Sequence, residues 1–270
     1  MTIVTERFYV DGPYGQLHVR DARPASSHGQ KPPLICFHQS PISGGQFRLF
    51  QQVMAVDRRV LCPDTPGYGN SDSPSALPTM ANYSAAMAVM LERTNLRGVD
   101  VLGFHTGSQI AVELAASRPD LVRRVVLSSL ALFTPEELAR NRAGFGGPRP
   151  LFTDAEYVAR YFRDQVTAGL PGITPERRLE MFADRLKSGE NSWFGPEAVF
   201  THPTAERLGA IKQPVLLLAL RDTLAPNTRR AASLLANATV VDRPEIHGPS
   251  GWDAAPEKIA DDVRAFLDAP

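Results

Sequence analysis

Short runs of consecutive apolar residues alternate along most of this chain with stretches of helical spacing. Residues 34–37, 59–62, 99–102, 125–130 and 215–220 lack the polar alternation of a half-exposed strand. They predict strands covered on both faces, as in the middle of a parallel sheet. Helix candidates lie between and after them, near 44–55, 80–94, 107–117, 226–236 and 255–268. Near the N-terminus the pattern differs: residues 7–10 and 16–21 alternate on either side of Gly12-Pro13-Tyr14-Gly15, which predicts an opening antiparallel hairpin. The sum is a doubly wound, mostly parallel α/β sheet.

The alternation stops between 132 and 206. There Thr134-Pro135-Glu136-Glu137, Thr153-Asp154-Ala155-Glu156 and Thr174-Pro175-Glu176-Arg177 each predict a helix start, with acidic residues in or beside the first turn. A strandless helical stretch dividing two sheet strands predicts a cap over the carboxyl ends of the sheet, where open α/β folds bind substrates. The expected division is a core of residues 1–131 and 207–270 with a helical cap, or lid, at 132–206. Phe145, Phe152, Tyr157, Tyr161, Phe162, Phe182, Trp193 and Phe194 fall in this cap. Most are expected to pack it onto the core, with a few lining an apolar pocket.

One turn changes the picture from architecture to chemistry. Val99-Asp100-Val101-Leu102-Gly103-Phe104-His105-Thr106-Gly107 is a strand leading through a glycine-flanked turn into a helix. It has the form of the G-x-S-x-G nucleophile elbow with histidine in the serine's place. Such a turn strains its central residue and raises that side chain at the helix N-terminus, while the glycines leave room for the chain to fold back.

Three further segments accompany it. Pro33-Leu34-Ile35-Cys36-Phe37-His38-Gln39-Ser40-Pro41 resembles the H-G-x-P turn that supplies one oxyanion amide in α/β-hydrolases. The stretch from Asp64 through Pro66-Gly67, Gly69 and Ser71 looks like the D-x-P-G-x-G-x-S turn of that fold, and Asp222 followed by His247 matches its late acid and base. Taken in order, the four motifs make nearly the whole chain resemble the α/β-hydrolase fold superfamily. The resemblance implies His247 as general base and Asp222 as the acid that orients it. It also implies backbone amides of Ser40 and Thr106 as the oxyanion donors. The acid's other known place, after the preceding strand, reads Ser128-Ser129-Leu130 and holds no carboxylate. Gln39 stands where the family usually has glycine, and His38 is expected to serve that turn structurally.

His105 leaves two chemistries open. A neutral imidazole, with an ordinary pKa of about 6.5, has a free lone pair at pH 7 and can act as a nucleophile through an acyl-imidazole. Two imidazoles and a carboxylate can instead move protons without acylation. Ser108 is expected to pack between helix and sheet, and Ser40 is a minor alternative nucleophile. The expected function is hydrolysis of a small, fairly apolar ester, lactone or carbon–carbon bonded carbonyl substrate. The alternatives are a cofactor-independent proton-transfer enzyme, lyase- or oxygenase-like, and a non-catalytic small-ligand binder.

Bulk properties narrow the partners. The 270 residues carry 29 basic and 29 acidic side chains, so no charge excess points to nucleic acid or an anionic membrane. Cys36 and Cys62 lie in apolar runs and are expected to be reduced core residues. No segment has the ~18 apolar residues of a membrane span, and no apolar leader opens the chain. A cytoplasmic enzyme, monomeric or homodimeric, with a small-molecule substrate is expected. Two histidines and a carboxylate form a known ligand set. No H-x-H or H-x-x-x-H spacing supports it here, so neither metal nor cofactor is expected.

Overall fold

A computed structural model of the chain describes residues 2–26, 31–170 and 172–270. Eight strands form one sheet: β1 (Ile3–Gly12), β2 (Gly15–Pro24), β3 (Lys31–Phe37), β4 (Arg58–Pro63), β5 (Val99–Phe104), β6 (Val122–Ser128), β7 (Val215–Arg221) and β8 (Ala238–His247). Their spatial order is β1-β2-β4-β3-β5-β6-β7-β8. The hairpin β1–β2 and the β2–β4 pair are antiparallel, and every pair from β4 to β8 is parallel.

The helices are α1 (Arg48–Met54), α2 (Met80–Arg93), α3 (Thr106–Ser117), α4 (Pro135–Phe145), α5 (Ala155–Phe162), α6 (Pro175–Lys187), α7 (Phe194–Thr201), α8 (Thr204–Ala210), α9 (Ala225–Arg230), α10 (Gly248–Ala254) and α11 (Pro256–Leu267). Two buried apolar layers account for the continuous apolar runs. Ile35, Phe37, Val101, Val125, Leu127, Val215 and Leu217 face one layer with residues of α2, α3 and α8. Leu34, Cys36, Leu102, Phe104, Val126, Leu216 and Leu218 face the other with residues of α1, α10 and α11. A strand buried on both faces has no polar side to betray its period.

Three differences from the sequence expectations have local causes. β8 escaped notice because it is the sheet edge: most of its residues are partly or fully exposed, with Ile246 the buried exception. β6 ends at Ser128 rather than 130 because Ser129 turns the chain at φ 52°. The middle helix start falls at Asp154, not Thr153: the Asp154 carboxylate accepts the Tyr157 N–H at 2.9 Å. Thr134 and Thr174 do cap α4 and α6.

Between β6 and β7 the chain runs through α4 to α8, with no strand among the described residues. The boundary expected at 206 lies inside α8, whose Leu208 is buried in the α2–α3 layer. No described helix is long and apolar enough to cross a membrane. Both cysteines are buried and unpaired.

Candidate active site

The site begins at the carboxyl end of β5. His105 sits between strand and helix at φ 57°, ψ −116°, a conformation that costs a non-glycine residue about 1–3 kcal/mol. Its neighbours hold it there. The His105 amide donates to Ser128 O at 3.0 Å, and its carbonyl accepts the Ser108 amide at 3.0 Å. Ser108 Oγ lies 2.7 Å from both Gly103 O and Ser128 O and is fully buried, so it braces the turn and does not face the cavity. The flanking glycines are required by close approach. A Cβ on Gly103 would meet Gly107 O at 2.3 Å, and one on Gly107 would meet Phe37 O at 1.9 Å.

Beyond the elbow opens a cavity of about 470 Å³. His105, Thr106, Gln39 and Ser40 line its floor, and side chains from α4 to α7 and their connections, among them Tyr157, Tyr161 and Arg185, form much of the remaining wall. Of the aromatic residues singled out between 132 and 206, Phe145, Tyr157 and Tyr161 line the cavity, joined by Phe133 and Phe200. The others are not on its wall: Phe182 and Phe194 are buried, Trp193 is half-buried, and Phe152 and Phe162 are exposed.

The His105 ring is exposed to the cavity, and no described residue hydrogen-bonds to its side chain. Protein atoms nonetheless surround it at longer range. This desolvation lowers its pKa, the Asp222 charge opposes the shift, and the Arg185 charge adds to it. The imidazole is therefore neutral at pH 7.

The turn after β3 is held by His38, which is fully buried. Its Nδ1 donates to Gln39 O at 2.8 Å and its Nε2 accepts the Thr65 amide at 2.9 Å, which defines one neutral tautomer. Both ring nitrogens are thus used inside the fold. Gln39 fits where glycine is usual because no left-handed backbone is needed: the described non-glycine residues at positive φ are Asn95, His105 and Ser129. Gln39 N donates to Gln46 Oε1 at 3.1 Å, while Ser40 N makes only a long 3.4 Å contact to Thr106 Oγ1. The Thr106 amide is the first of α3 and has no acceptor within its helix. Ser40, Thr106 and His105 line the same cavity.

The acid and base are placed differently from the expected triad. Asp222, just past β7, accepts Ser129 Oγ–H on Oδ2 and the Leu224 amide on Oδ1, the latter at 2.8 Å. His247, ending β8, pairs through Nδ1 with Ser250 Oγ at 3.0 Å. No hydrogen bond joins Asp222 to His247 among the described residues. Burial and the Arg221 charge lower the His247 pKa, and the Asp222 charge opposes them, so Asp222 acts on both imidazoles through space. His247 is not on the cavity wall, although Pro249 is.

Sequence reasoning did not find Ser129, Ser250 or Arg185. Ser129 fills the place where an acid was looked for and missed; its role there is to hold Asp222. Arg185 ends a polar helix, where a basic residue reads only as a favourable dipole partner. Among the described residues no three His, Cys, Asp or Glu side chains converge to hold a metal ion.

Comparison with known proteins agrees with this fold. A family model described as "alpha/beta hydrolase fold" matches residues 32–165. The chain is 26% identical over 258 residues to a 3-hydroxybutyrate-oligomer hydrolase from Cupriavidus necator, covering 84% of this chain and 86% of that one. It is also 26% identical over 257 residues to a non-heme chloroperoxidase from Streptomyces lividans, covering 87% and 91%. Among solved structures, the enol-lactonase from Burkholderia xenovorans superposes with a TM-score of 0.79 at 18% identity, covering 97% of this chain and 100% of its own. An esterase from Thermogutta terrifontis gives 0.77 at 16% identity, covering 97% and 98%.

Proposed function

Because the chain belongs to the α/β-hydrolase fold superfamily, we propose that it hydrolyses a small, fairly apolar ester, lactone or carbon–carbon bonded carbonyl substrate, with His105 as nucleophile. The observation that carries this reading is the bare, neutral His105 ring held at the strained elbow and facing a cavity that Ser40 and Thr106 also line. For an ester or lactone, the unprotonated ring nitrogen attacks the carbonyl and the carbonyl electron pair moves onto oxygen. That oxyanion takes the Ser40 and Thr106 amides, displacing the weak Ser40–Thr106 contact. Such donors are worth about 3–4 kcal/mol in an acyl-transfer transition state. Collapse breaks the bond to the leaving oxygen, and the proton shed by the acylated ring neutralises the departing alkoxide. His247, beside the wall residue Pro249, then takes a proton from water as it attacks the acyl-imidazole and returns that proton to the departing His105 ring nitrogen, which frees the acid and restores the neutral imidazole. The stretch between β6 and β7 acts as the cap that shapes the acyl pocket.

One observation favours a second reading. Asp222 is engaged by Ser129 and Leu224 instead of His247. This arrangement suits two independently neutral imidazoles that exchange protons with a substrate, as in a cofactor-independent lyase or oxygenase.

The experiment is a series of p-nitrophenyl esters, acetate to octanoate, with the native protein, His105→Ser and His247→Ala, followed by mass analysis of quenched turnover. The acyl-transfer reading expects native turnover, an acyl adduct on His105, and a loss of about 10²-fold or more in His247→Ala. An inert native protein whose His105→Ser variant gains esterase activity would overturn it in favour of proton transfer.

A further inference from the structure

The cavity wall carries charge of one sign. Arg149 and Arg185 line it, and no described lining residue is acidic. The two cations are not equivalent. Arg149 is committed to backbone, donating to Phe145 O at 2.7 Å and Gly144 O at 3.5 Å, so it closes the end of α4. Arg185, in the last turn of α6, has one side-chain partner among the described residues, the neutral Tyr161 hydroxyl at 3.3 Å. Its chain neighbour Asp184 is taken by Lys187 at 3.1 Å. A half-buried guanidinium facing a largely apolar cavity without a counter-ion is costly unless an anion completes it.

From this we infer that the substrate carries a carboxylate, seated on the Arg185 guanidinium and the Tyr161 hydroxyl. The inference rests on the acyl-transfer reading for what happens at the other end of the molecule. A guanidinium offers two parallel N–H donors that match the two oxygens of a carboxylate. Tyr161 Oη accepts from Arg185, so its own proton is free to donate to the same anion. One uncommitted cation suits a single negative charge. The Arg185 charge also reaches the His105 ring, where it helps to hold the pKa down. A carboxylate on Arg185 therefore belongs to the same small molecule whose carbonyl meets His105, and a cavity of about 470 Å³ suits a compound of that size. The substrate class is a small carboxylate-bearing ester, lactone or ketone.

The test has a binding arm and a turnover arm. Calorimetry compares levulinate, a small keto acid, with its uncharged amide, 4-oxopentanamide. The native protein is expected to bind the acid at least about tenfold more tightly. Arg185→Gln should abolish that preference, Arg185→Lys should keep part of it, and Tyr161→Phe should weaken it. Equal affinity in the native protein, or a preference that survives in Arg185→Gln, overturns the inference. Circular dichroism confirms that each variant is folded. In the turnover arm, the kcat/KM ratio of p-nitrophenyl hemisuccinate to p-nitrophenyl butyrate is measured within each variant, so overall losses cancel. A native ratio above one that collapses in Arg185→Gln supports the proposal, and an unchanged ratio refutes it. If neither ester is turned over, the acyl-transfer reading fails, while calorimetry still decides whether the carboxylate site exists.

Discussion

Replacing Gly107 by alanine tests the packing that makes the elbow possible. An added Cβ would lie 1.9 Å from Phe37 O, 2.4 Å from Phe37 C and 2.9 Å from His38 O. All three are backbone atoms, so no side chain can swing away. Restoring an ordinary contact of about 3.4 Å requires α3 and the end of β3 to separate by about 1.5 Å. Phe37 is fully buried and pairs with Gly103 across β3 and β5, so that shift breaks sheet register as well as packing. The cost belongs at or above the top of the overpacking range, about 3 kcal/mol. For a chain of this size it lowers Tm by about 6–12 °C. Gly209→Ala is the matched control. That glycine is exposed in α8 with nothing within 4 Å of the added methyl, and the change should stabilise by about 0.5–1 kcal/mol. Thermal and urea unfolding followed by circular dichroism measure both. A Gly107→Ala protein melting within about 2 °C of native, with an unchanged urea m-value, would refute the argument that this backbone contact sets the elbow.

The remaining predictions concern charge and core. Desolvation lowers the pKa of both His105 and His247, so kcat/KM should be flat above pH 6.5 and fall as pH drops through a value below it; an inflection above 7 would contradict neutral rings. Trp252 is fully buried, with ring contacts to Phe47, Phe50 and Phe104 at 4.9, 5.3 and 5.3 Å. Trp252→Ala should cost about 3–5 kcal/mol in urea unfolding. Trp252→Phe should cost less than half as much, since it also removes an indole N–H that has no partner. Asp64 is buried and accepts from His18 Nδ1 at 2.8 Å, Gly44 N at 2.8 Å and Asn70 N at 2.9 Å. Burial alone would raise its pKa, but the His18 bond and the other donors lower it. Its contribution is therefore present above the unfolded value of about 3.9 and is lost as pH falls through the lower folded value. Asp64→Asn should cost about 3 kcal/mol at pH 7 and flatten the acid limb of stability against pH.

The α/β alternation, the elbow, and the turn-bearing His38 were legible in the residues because each is local. A buried parallel strand needs a continuous apolar run, and a sharp strand-to-helix turn needs small residues on either side of a raised one. Helix starts at Thr134 and Thr174 were legible for the same reason, since a cap bonds an amide three residues away. The edge strand β8 was not, because exposure removes the apolar signature that marked its neighbours. The sequence by itself determined which side chains of the elbow and the late loops are available to do chemistry. Only the tertiary structure decided what they touch. Ser129 lies 93 positions from Asp222 and takes its carboxylate, and Arg185 reaches the cavity from the far end of α6. Partners so distant along the chain meet through strand order and helix packing. Those are set by burying apolar surface over the whole molecule, and no short stretch of residues records them.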